Sequence, residues 1–181
     1  MLSDHQASFE LLARDLAQVL EFVEPVDANE ATHSHRLFSL LLRICTDFES
    51  IAKELLITGE CKKLPKEMTI LDYRTLEKNL LLETIEVEFL QWRPRPRGFT
   101  PFKDWSTGQP PLTWYKAYNL VKHNRYAEFQ RANLKVVVDA LAGQFAILAR
   151  VSNYNWPPCS LDHENGKHSF WREPFFMHWK D

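Results

Sequence analysis

Cysteine, glycine and uninterrupted apolar sequence are all scarce in this chain. Its three cysteines, Cys45, Cys61 and Cys159, are too few and too scattered for a disulfide framework, so a reducing cytoplasm is the expected compartment. The five glycines are dispersed, which excludes a Gly-rich phosphate cradle; a serine nucleophile elbow and a Cys-x-x-Cys pair are also missing. Apolar runs are as short as Leu40 to Leu42 and Val136 to Val138, so no membrane span is expected. The start, Met1-Leu2-Ser3-Asp4-His5, is polar and has no basic stretch of the kind that opens a secretory signal. What is present is an ordinary globular balance, 45% hydrophobic and 25% charged over 181 residues, enough for one domain with a sizeable core.

The net charge of −2 conceals an asymmetry. Residues 1–90 carry 9 basic and 17 acidic side chains, residues 91–135 carry 9 and 2, and the remainder carries 4 and 5. A basic middle in an acidic chain has two readings: a localised surface for a polyanion, or internal pairing of acidic and basic helices.

Periodicity organises the chain. Phe9, Leu12, Leu16, Val19, Leu20 and Val23 recur at helical spacing, which predicts a helix over 3–23 with Ser3 as N-cap and Pro25 as stop. Leu37, Leu40, Leu41, Ile44, Phe48, Ile51 and Leu55 predict a second over 31–58, with Gly59 as a left-handed terminator. A third is expected after Thr69, with Leu71, Leu76, Leu80 and Leu81 inward. Ile85, Val87 and Phe89 alternate with Glu86 and Glu88, the period of a strand. From Trp92 to Pro111 come five of the ten prolines, too many for a helix. Leu120, Leu134, Val137, Val138, Leu141, Phe145 and Leu148 then predict one long helix from Thr113 to about Val151, followed by an irregular aromatic tail. That tail is expected to cover the bundle or a partner subunit, since its rings are costly to expose. The fold class read from this pattern is mainly all-α: an up-and-down four-helix bundle with a short β element and a proline-rich aromatic insertion. Within a single domain, 1–90 holds three helices and the strand, 91–112 a basic aromatic loop, 113–152 the last long helix and 153–181 the tail.

Candidate chemistry concentrates in Trp114-Tyr-Lys-Ala-Tyr-Asn-Leu-Val-Lys-His-Asn-Arg125. On a helix Lys116, Asn119 and His123 share one face, flanked by Lys122 and Arg125. An imidazole exchanges protons near neutral pH, and nearby cations can hold a phosphodiester and stabilise charge developing on it. Those are the requirements of RNA cleavage without a metal; the bland alternative is a solvated helix start. No metal site is assigned. Cys159, His163, His168 and His178 follow no standard ligand spacing, and His163-Glu-Asn-Gly-Lys-His168 has its histidines five apart, with Gly166 against the helix that a zinc-protease motif needs. No cofactor is expected.

Four helices with a polar His motif early in the last one resemble the HEPN superfamily of prokaryotic toxin–antitoxin and phage-defence proteins. The family motif is Arg, four to six residues, then His, often Arg-Asn-x-x-x-His. Asn119-Leu-Val-Lys-His123 matches the Asn and His, and Tyr118 stands where the motif has Arg. The resemblance implies a metal-independent endoribonuclease acting as a homodimer, with His123 as proton-transfer residue, Asn119 as its support, and Lys116, Lys122 or Arg125 supplying the cation. It equally admits a non-catalytic relative that binds RNA, an antitoxin or another partner protein. In the 91–112 loop Arg93, Arg95 and Arg97 interleave with Trp92 and Trp105. That pairing suits single-stranded RNA, with cations on the backbone and rings on the bases, or else the rings plug the core and leave the arginines outside.

Overall fold

Leucine, isoleucine and phenylalanine at three- and four-residue intervals give the second helix an apolar stripe that must be covered, and the rest of the fold arranges itself over that stripe. The computed structural model describes residues 2–106 and 112–152, together with the backbone of 159–162, 167–172 and 175–179 and the side chain of Phe175. The helices are α1 (Leu2–Leu20), α2 (His35–Thr58), α3 (Ile70–Tyr73), α4 (Glu77–Leu80), α5 (Thr113–His123), α6 (Arg125–Glu128) and α7 (Leu134–Val151). The strands are β1 (Glu86–Phe89), β2 (Arg97–Phe99), β3 (Cys159–Asp162), β4 (Lys167–Arg172) and β5 (Phe175–Trp179). The protein is mainly helical with a small sheet.

Helices α2 and α7 pack on each other, and each also meets α1 and α5. The α7 helix is the most deeply set element: every residue from Ala140 to Ala149 is buried. The sheet has the order β2-β1-β5-β4-β3 and all its pairings are antiparallel. Its centre lies against α7, where Phe175 of β5, Phe89 of β1, Phe9 of α1 and Phe145 of α7 form one ring cluster with centroids 5.3 to 6.3 Å apart. A second aromatic cluster, around Phe48, joins α2 to Phe102, Trp114, Tyr115 and Tyr73.

Several elements differ from the sequence reading, each for a physical reason. Helix α1 begins at Leu2, so Ser3 lies inside it. Helix α2 begins at His35 because Ser34 caps it, its side chain accepting from Leu37 N at 3.1 Å. The backbone just before it is engaged elsewhere, with Leu134 N donating to Thr32 O and Lys135 N to Glu30 O. After α2 it is Glu60, with φ 62°, that takes the left-handed conformation, and Gly59 does not (φ −81°). The third predicted helix is two single turns joined by a 3-10 segment, Arg74–Leu76, with Leu71 and Leu81 exposed and Leu76 buried. The predicted helix 113–151 is three pieces. Asn124 and Asn133 each restart it by accepting from the backbone N–H three residues on. The tail expected to be irregular supplies three strands, and β5 pairs with β1 in the same chain, Val87 opposite Met177 and Phe89 opposite Phe175.

Candidate nucleic-acid interface

No acidic residue occurs from Thr113 to Ala127, and that stretch builds α5 and the start of α6. Its orientation is fixed from inside. Trp114 is fully buried, donates from Nε1 to Pro101 O at 2.9 Å, and lies so close to α7 that a Cβ placed on Gly143 would meet its ring at 3.2 Å. Tyr115 and Tyr118 turn toward α2, where the Tyr115 hydroxyl donates to Glu49 Oε1 at 2.9 Å. Burial, reinforced by the Glu49 carboxylate, pushes the Tyr115 phenol well up. The N-terminal end of α5 is held by Asp104, whose Oδ2 accepts from both the amide and the hydroxyl of Thr113 at 2.8 Å.

With its aromatic side inward, α5 presents Lys116 and His123 outward and leaves Asn119 half-buried. His123 is the last residue of the helix and is exposed, and its imidazole makes no hydrogen bond among the described residues. Lys116 lines a cleft of about 460 Å³ between α5 and the start of α7, together with Asp104, Thr113, Arg131 and Asn133. Arg131 is ion-paired with Glu128. Behind the cleft, Asp139 has its carboxyl raised to about 7. Burial is the main cause and the Asp104 carboxylate adds to it, against Lys135 and Arg97.

The two flanking cations go elsewhere. Lys122 folds back on the α2 side, donating to the Tyr118 hydroxyl at 3.0 Å, and that bond raises its pKa above the usual lysine value. Arg125 reaches the first turn of α2, where Nη2 donates to His35 Nδ1 at 2.9 Å and the guanidinium lies 4.5 Å from the Phe38 ring centroid. The five candidate residues therefore share one basic end of the molecule, but Lys116, Lys122 and Arg125 point into three different settings. Tyr118, in the place of the motif arginine, is only 2% exposed, so that position faces the core.

The basic loop resolves into two parts. Arg93 and Arg95 are exposed, and their guanidiniums have no partner among the described residues, although the Arg93 amide donates to Pro25 O at 2.8 Å. Arg97 is committed: it pairs with Asp27 and Glu30 at 2.9 and 2.8 Å and lies over the rings of Trp92 and Phe99. Trp92 and Trp105 are core residues, 2% and 1% exposed, so neither offers a ring face to a base. The acids of α2 are engaged as follows: Glu49 with Tyr115 and Lys53, Asp47 with Gln144, Glu54 with His5. Among the described residues no three His, Cys, Asp or Glu side chains are grouped to hold a metal, and no helix is long and apolar enough to cross a membrane. The side chains of Cys159, His163, His168 and His178 lie outside the described residues.

Two residues at this end escape a reading of the sequence by motif. His35 lies 90 positions from Arg125, and nothing local announces their contact. Tyr126, completely exposed, stands beside Arg125 in the sequence and had a legible signal: an aromatic in a basic stretch outside the apolar stripe. Compared with protein-family models, with curated proteins and with solved structures, the chain finds no match.

Proposed function

We propose that the chain is a HEPN-like RNA-associated protein that takes RNA across the basic end formed by α5 and α6, with His123 as its proton-transfer group. The observation that carries this reading is an exposed, unbonded imidazole at the end of an acid-free helix, with Lys116 and Arg125 free of carboxylate partners among the described residues. In that arrangement His123 accepts the proton of a ribose 2′-hydroxyl as its oxygen attacks the neighbouring phosphate, the P–O5′ bond breaks to leave a 2′,3′-cyclic phosphate, the departing 5′-oxygen takes a proton from water, and a cation neutralises the charge gathering on the phosphate oxygens. No metal is needed for such a step. We read α1, α2, α5 and α7 as the four helices of the HEPN-like core, and a second copy of the chain as the partner that completes the site. An antitoxin is the further partner that a toxin or defence role would bring.

The inward position of Tyr118 favours a second reading, RNA binding without cleavage, because the place of the motif arginine cannot reach a substrate. Incubation of single-stranded RNA with the purified chain in EDTA separates the two. Cleavage that vanishes in His123→Ala, with the fold intact by circular dichroism, supports the nuclease. Retention of intact RNA supports the binding module, and indifference to RNA overturns both.

A further inference from the structure

Helices α1 and α2 leave a groove of about 320 Å³ between them, lined by Asp15 and Gln18 from α1 and by His35, Arg36, Ser39 and Arg43 from α2. Arg36 is exposed and has no partner among the described residues. Arg43 is ion-paired with Asp15, the one acid of the lining. His35 joins this groove to the basic end described above, because its Nδ1 accepts from Arg125. A guanidinium has only donors, so Nδ1 is the acceptor in this contact, and Nε2–H is left as the donor that suits a phosphate oxygen. The next residue along the chain from Arg125, Tyr126, is fully exposed.

We propose that this groove is a phosphate subsite for single-stranded RNA, in which Arg36, Arg43 and the Nε2–H of His35 hold one backbone phosphate while Tyr126 stacks on a base beside it. Charge complementarity selects the occupant: with Arg125 at its edge the groove has three guanidiniums against one carboxylate, plus hydroxyl and imidazole donors matched to phosphate oxygens. An exposed ring next to a cation is the pairing by which single strands are held without regard to sequence. Arg125 is the pivot. It orients His35 for the phosphate and is itself braced on the rings of Phe38 and Phe129, at 4.5 and 5.8 Å. This inference rests on the RNA reading above, and places the strand beyond His123 and across the first turn of α2.

The test is fluorescence anisotropy of a short labelled single-stranded RNA with the full chain and with Arg36→Ala, Arg36→Lys and Tyr126→Ala. Both side chains are exposed, and circular dichroism checks that each variant folds as the parent does. Arg36→Ala is expected to weaken binding severalfold and to flatten its salt dependence by the equivalent of about one phosphate contact. Arg36→Lys should recover most of that loss, and Tyr126→Ala should cost roughly tenfold at any salt concentration. If the parent binds RNA and Arg36→Ala and Tyr126→Ala bind it equally well, the groove is overturned and the RNA reading stands. Failure of the parent to bind RNA, or equal binding of an acidic peptide, overturns both.

Discussion

Asp139 lies half-buried on α7 within the field of Asp104, and its carboxyl is raised from its ordinary value to about 7. A folded-state pKa above the unfolded one means that the native state holds the proton more tightly. Stability is therefore fully present below about pH 4 and is lost as pH rises toward 7. The penalty reached above pH 7 is of order 1–3 kcal/mol after allowance for partial exposure. Asp139→Asn should accordingly leave denaturant stability little changed near pH 4.5 and raise it at pH 8; equal effects at the two pH values would show that Asp139 does not titrate as described. At this scale the sequence was informative about direction. The helical period placed Lys116 and His123 outward, and the same period places Tyr118, two residues after Lys116, inward. It could not show that Lys122 would turn to Tyr118 or that Arg125 would find His35, because both depend on which helix packs alongside.

Elements were legible where one apolar stripe met one strong stop, as in α1 and α2, and illegible where polar residues with two roles intervened. Asn124 and Asn133 both lie inside a continuous helical period, yet each caps a new helix by accepting from Ala127 N or Val136 N. Asparagine competes with the helix for its own backbone, so the break was written in the residue type even though the period ran through it. The segment between those two asparagines is what carries Arg125 to the start of α2. Asn133→Ala should destabilise the chain by about 1 kcal/mol, the ordinary cost of an N-cap, read as a lower denaturant midpoint with unchanged slope. A wild-type midpoint would mean that the Asn133 side chain does not cap α7. The tail was misread for the complementary reason. Its β5 strand is held by pairing with β1, more than eighty residues earlier, with β4 and β3 added beyond it, and a period-two signal that short is seen only with its partner.

Across the whole molecule, the acidic first half and the basic middle are joined in part by internal ion pairs. Arg97 and Lys135 pair with Asp27 and Glu30, and through them the middle of the chain is fastened to the connection before α2. Arg93, Arg95, Lys116, Lys122 and Arg125 have no carboxylate partner among the described residues, and the last three cluster on α5 and α6. Internal pairing thus uses up part of the basic excess and leaves the rest facing outward, the electrostatic condition for holding a polyanion. The measurement that tests this most directly is the affinity for single-stranded RNA across a salt titration, with the parent chain and with a Lys116→Ala/Arg125→Ala double variant. The account predicts a steep loss of affinity with salt for the parent, and a logarithmic slope shallower by about 1.4 in the double variant, at roughly 0.7 for each phosphate contact removed. Equal slopes in two equally folded proteins, or no binding by the parent even at low salt, would contradict it.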